Sequence, residues 1–133
     1  MLKRDSLTAQ MQQLSHTLAK VKRLIMEKEA IEAKSVLQAV LGEYFGTNIT
    51  DLLETPANVF IQQFKRQDFK AEELGLLADF LDELAAVSED RDRRTIWEKV
   101  LLIYEILERD YKVVSFTHIA RKSDILARLG EAP

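Results

Sequence analysis

The sequence predicts an all-α protein built of antiparallel helical hairpins, with about five main helices and a short helix in an insert between the hairpins. Three observations carry this. Apolar residues recur every three or four positions along most of the chain, and no run alternates as a strand would. The 133 residues include only four glycines and two prolines, so turns are few and helices long. Finally, residues 95–111 are apolar nearly all round, with Ile96, Val100, Ile103 and Leu107 on one stripe, Trp97, Leu101 and Tyr104 on a second, and Leu102 and Ile106 on a third. Such a helix has to be covered on more than one side, so the other segments are expected to form around it. The length fits one domain, residues 1–133, with a sizeable core.

Residues 6–45 read as the first hairpin. Asp5 or Ser6 is the expected N-cap of its first helix. Leu7, Met11, Leu14, Leu18, Val21 and Ile25 then follow at spacings of 4, 3, 4, 3 and 4, a heptad-type seam. Glu27-Lys28-Glu29 is a polar kink, and a second helix runs from about Ala30 to Tyr44. Gly42 and Gly46 stand near its end, where a left-handed residue is often required. The link is short enough to turn the second helix back along the first.

Residues 46–69 form the insert. Residues 50–53 suit a single turn, and Thr55-Pro56 suits an N-cap and first helical position for a short helix through Val59, Phe60, Ile61 and Phe64. The second hairpin covers residues 70–111. Asp68 is expected to cap its first helix, with Glu72 and Glu73 in the first turn where acids favour the dipole. Leu74, Leu77, Ala78, Leu81, Leu84 and Ala85 form the stripe, widened by Phe80. A polar turn at residues 88–90 leads into the apolar helix, expected from about Arg91 to Asp110. A capping helix, residues 115–130, starts at Ser115 or Thr117, runs through Ile119, Ala120, Leu126 and Leu129, and ends at Gly130.

Leu24, Ala33, Leu37 and Val40 in the first hairpin, and Leu77, Leu84, Trp97 and Val100 in the second, stand at offsets that resemble tetratricopeptide repeats, units of about 34 residues. Arg93 takes the place of a small residue, and the consensus tryptophan and closing proline are missing. The resemblance implies a tetratricopeptide-like right-handed stack interrupted by the insert. The chain is also similar to a family of short bacterial helical proteins with no assigned activity, at Leu2, Arg4 and Asp5, at Leu101 and Tyr104, and at the last helix begun by Ser115.

Chemistry is sparse. The absence of cysteine removes disulfides and thiolate sites. His16 and His118 form neither a His-x3-His nor a His-Glu-x2-His pair, so a zinc site would need unrelated partners. Asp79, Asp82 and Glu83 share part of one helix face and could hold a cation or pair as catalytic carboxylates do, but they also read as a solvated face, as do Glu98 and Lys99. No Gly-rich phosphate loop or nucleophile elbow occurs. Basic residues fall in three small groups, Lys20/Lys22/Arg23, Lys65/Arg66/Lys70 and Arg91/Arg93/Arg94, the last interleaved with acids. A net charge of −3 and the lack of a coherent basic stripe argue against nucleic acid. Phe45, Phe60, Phe64, Phe69 and Phe80 read as core, with a few in the insert available for a partner patch.

No apolar run follows the charged start or is long enough to span a bilayer, so no signal peptide or membrane contact is expected and the default location is cytoplasmic. The expected function is a non-catalytic protein-interaction or scaffold module without a cofactor. The expected contact is the first-helix seam, Leu7, Met11, Leu14, Leu18 and Ile25 with Lys22 beside it, binding another protein or a second copy as a homodimer. The alternatives are a small-molecule- or metal-binding helical protein, with a polar cavity near His16 or near Asp79 and Asp82, and a weak nucleic-acid binder.

Overall fold

The computed structural model describes residues 3–130, with side chains from residue 7 onward. Leu2, one of the positions of the second resemblance, lies outside them. The described residues form seven helices and no strand: α1 (Lys3–Met26), α2 (Ala30–Glu43), α3 (Ile49–Glu54), α4 (Ala57–Arg66), α5 (Ala71–Ala86), α6 (Asp90–Arg109) and α7 (Phe116–Gly130). No helix among the described residues is long and apolar enough to cross a membrane.

α1 is already helical at Lys3, so Asp5 and Ser6 lie in its first turn and not ahead of it. The kink after α1 is made by Lys28 at φ +62, with the Glu29 N–H donating to the Leu24 carbonyl at 2.8 Å. The polar kink read at Glu27-Lys28-Glu29 is thus this end, although left-handed backbone at a non-glycine residue is uncommon. Gly46, at φ +67, does the same after α2 without a Cβ clash.

The insert holds two helices. What reads as one turn at residues 50–53 is the six-residue helix α3, capped by Asn48, whose side chain accepts the Asp51 N–H at 2.8 Å. Thr55 closes α3, its N–H and hydroxyl both donating to the Asp51 carbonyl, so the N-cap of α4 shifts to Pro56. Asp68 does not cap α5 either. It sits at φ +53 in the turn, and Lys70 is the N-cap. Its N–H donates to Glu73 Oε1 at 2.9 Å, and Glu73 Oε2 accepts the Tyr44 hydroxyl at 2.7 Å. Glu73 is therefore a buried tie between the start of α5 and the end of α2.

α5 and α6 form the most extensively packed pair, antiparallel, with Arg93 Nε donating to the Ala85 carbonyl and Trp97 Nε1 donating to Asp82 Oδ1. α1 and α2 pack on each other and on α5. The apolar helix, α6, is covered by α5, α7, α3 and α4, so the insert supplies part of its cover. Phe45, Phe60, Phe64, Phe69 and Phe80 are all core residues, linked ring to ring, with Phe60–Phe64 at 4.9 Å and Phe45–Phe69 at 5.6 Å.

Two groups read as solvated face are structural. Arg93 donates to the Ala85 and Ser88 carbonyls at 3.0 and 2.9 Å and so caps α5. Arg94 donates to the Leu129 carbonyl at 3.2 Å and ties the far end of α7 to α6. Lys99 is only 6% exposed, its Nζ 5.8 Å from the Phe60 ring centroid, where the ring face favours a cation.

Candidate functional site

The side chains singled out in the sequence are placed as follows. Of the first-helix seam, Leu14 is buried, and Met11, Leu18 and Ile25 are half-buried against the chain's own core. Leu7 is half-buried and Lys22 exposed. The seam thus faces inward, on the side where α2 and α5 pack. His16 is exposed on a shallow open groove of about 490 Å³ between α1 and α2, alongside Gln13, Thr17, Lys20 and Glu43. No internal polar cavity surrounds it.

The carboxylates on α5 are engaged with α7. Arg121 binds Asp82 through Nε on Oδ2 and Nη2 on Oδ1, the second contact at 2.7 Å. This bidentate hydrogen bond holds the guanidinium above its ordinary range, against the opposing effect of burial. His118 stacks on Tyr104 at 4.6 Å between ring centroids, and its Nε2 lies 3.7 Å from Asp79 Oδ1. The imidazole packs beside Gly75, where a Cβ would meet His118 Cε1 at 3.6 Å, an ordinary van der Waals contact. Burial pushes the Tyr104 hydroxyl up, and Asp82 and Asp79 push it the same way. Glu83 is also raised, first by burial. The group is a dock for a helix: Asp82 meets the Arg121 guanidinium and Asp79 stands beside the His118 imidazole of the same chain. Among the described residues, no cluster of three or more histidine or carboxylate side chains could hold a metal.

α7 is the element this dock holds, and its faces are disposed unusually. Its start is set by Ser115, whose Oγ accepts the His118 N–H at 3.4 Å. At 100° per residue, His118, Arg121, Ile125 and Leu129 share one side, with Lys122 at its border next to Ile119. That side lies against α5 and α6, with Ile125 fully buried. The opposite side carries Phe116, Ile119, Ala120, Ser123, Leu126 and Ala127, all exposed. Phe116 is 91% exposed and Ile119 and Leu126 are 51% exposed, while Val114, just ahead of the helix, is 65% exposed. α7 therefore turns His118 and Arg121 inward and a largely apolar stripe, broken by Ser123, outward, with Asp124 and Arg128 exposed on its flank.

Of the apolar residues the sequence marks along this helix, Ile119, Ala120 and Leu126 are on the outer side, while Leu129 packs inward together with Ile125. Phe116 was not singled out as a contact residue. The signal was present: a wheel over residues 116–130 places apolar residues on two opposite arcs. Beside the stripe, Tyr104, Glu108, Val114, Ser115, His118 and Lys122 line a crevice of about 30 Å³, room for one water-sized group only. An apolar face rimmed by polar groups is suited to contact with another macromolecule. Comparison with protein-family models, with curated proteins and with solved structures finds no match.

Proposed function

We propose that this protein is a non-catalytic interaction or scaffold module whose contact face is the outer side of α7. The observation that carries the reading is the inverted placement of α7, with Arg121 and His118 toward the core and Phe116, Ile119 and Leu126 toward solvent. Exposing a phenylalanine and two large aliphatic side chains on one stripe is unfavourable in water, at roughly 25 cal/mol per Å² of apolar surface. A covering partner removes that cost.

The resemblance to tetratricopeptide repeats gives the face a place. If the two hairpins and α7 are read as a right-handed stack, α7 is its last layer. Stacks of this kind end on a helix with a polar outer side. Here the outer side of α7 is apolar, as the side of an inner layer would be, which supports reading it as a contact face.

The test is a photo-cross-linking residue at Phe116 in the native cell, with the exposed Glu54 as the control position. A discrete cross-linked product from position 116 and none from position 54 is expected. Equal, diffuse labelling from both positions would remove the reading.

A further inference from the structure

We infer that the occupant of the α7 face is a second copy of this chain, packed antiparallel through α7 about a two-fold axis near His118. The inference rests on the interaction reading above and adds the partner.

The charges along one edge of the stripe are arranged for it. The Tyr104–His118 stack and the Arg94–Leu129 hydrogen bond set the antiparallel register of α6 against α7. That register puts Glu108 level with Val114 and Ser115, and all three line the same crevice. Lys122 lies on this same edge, about two helical turns further along. The edge thus carries an acid at one end and a base at the other.

A two-fold axis perpendicular to α7 lays this edge against itself with its direction reversed. Centred at the level of His118, it brings Lys122 of each copy to Glu108 of the other. The same axis sets Phe116 opposite Ala120 of the second copy, a large side chain against a small one, with Ile119 close to the axis. One symmetry operation thus satisfies both the charges and the packing.

An anionic membrane fits less well. Glu108 and Asp124 stand on the flanks, and Arg121 is committed to Asp82. The patch is one face of a single helix about 22 Å long, whereas a standard interface buries roughly 800 Å² per partner, usually from several elements. The dimer is therefore weak and concentration-dependent.

Sedimentation velocity on the full chain over a wide concentration range reads this directly. A reversible monomer–dimer equilibrium is expected. Phe116→Glu weakens it at least about tenfold. Lys122→Glu also weakens it, and adding Glu108→Lys restores it by exchanging the pair. Circular dichroism confirms that each variant folds, since Phe116 and Glu108 are exposed. Three outcomes overturn the inference: a monomer at every concentration, a dimer indifferent to both single changes, or a double variant that fails to recover. A monomer that still gives a discrete cross-link from position 116, of a mass other than two chains, removes the second copy and leaves the interaction reading standing. A monomer with no such cross-link removes both.

Discussion

Arg121 of α7 and Asp82 of α5 meet as a two-pronged ion pair, and the same Asp82 accepts the indole N–H of Trp97 from α6 at 3.3 Å. One carboxylate thus joins three helices. It is also the reason α7 can dock with its charged side inward, since the charges of Arg121 and Asp82 are matched across the interface.

Arg121→Ala should loosen α7 and leave the rest of the fold in place. Asp82 would keep only the indole N–H, and losing a charge-assisted hydrogen bond of this kind costs about 1–3 kcal/mol. Hydrogen exchange checks it. Amides of α7 should lose protection while those of α5 and α6 keep theirs. Uniform loss across all three helices would mean that α7 is integral to the core.

Trp97→Ala should be far more damaging. The indole is 8% exposed and lies under Arg93, whose guanidinium is 6.0 Å from the ring centroid. Removing a buried aromatic of this size costs about 3–5 kcal/mol, and the change also takes a donor from Asp82. Chemical denaturation measures it. A cost under about 1 kcal/mol would be that of a surface residue and would contradict the packing described.

Lys99→Met should raise stability at neutral pH. Burial pulls the Lys99 ammonium below its ordinary value of 10.5, with Glu98 opposing. A lysine lowered by folding contributes stability that is full above its unfolded value and is lost as pH falls through the lowered folded value. At neutral pH that contribution is absent and folding works against the charge. Methionine fills a similar volume without one. Thermal melts from neutral to alkaline pH should show the variant's advantage shrinking as pH approaches 10.5. An advantage independent of pH would assign the gain to packing alone.

Much of the fold is legible from side-chain spacing. The apolar periodicity of α5 and α6 marks both helices and nearly all of their core residues, because α5 has one broad apolar face and α6 is apolar on several sides, so neither can stand in solvent. The scarcity of glycine and proline, and the absence of strand alternation, mark the all-helical class. Helix ends were less legible. Asp68 and Thr55 look like caps by residue type, yet a left-handed turn and the closing of α3 take them elsewhere. Cap preference is a local tendency of about 1 kcal/mol, and tertiary packing outweighs it.

The sequence by itself determined that this is a helical protein with a heavily buried α6 and no local signature of chemistry. Only the tertiary structure decided which way α7 faces. Periodicity reports that a helix has an apolar side, but residues 116–130 have two, Ile125 with Leu129 and Phe116 with Ile119 and Leu126. The choice between them was made by Asp82 and Asp79, far away in the chain, which stand where Arg121 and His118 can meet them. Matching those partners turned the larger apolar side outward.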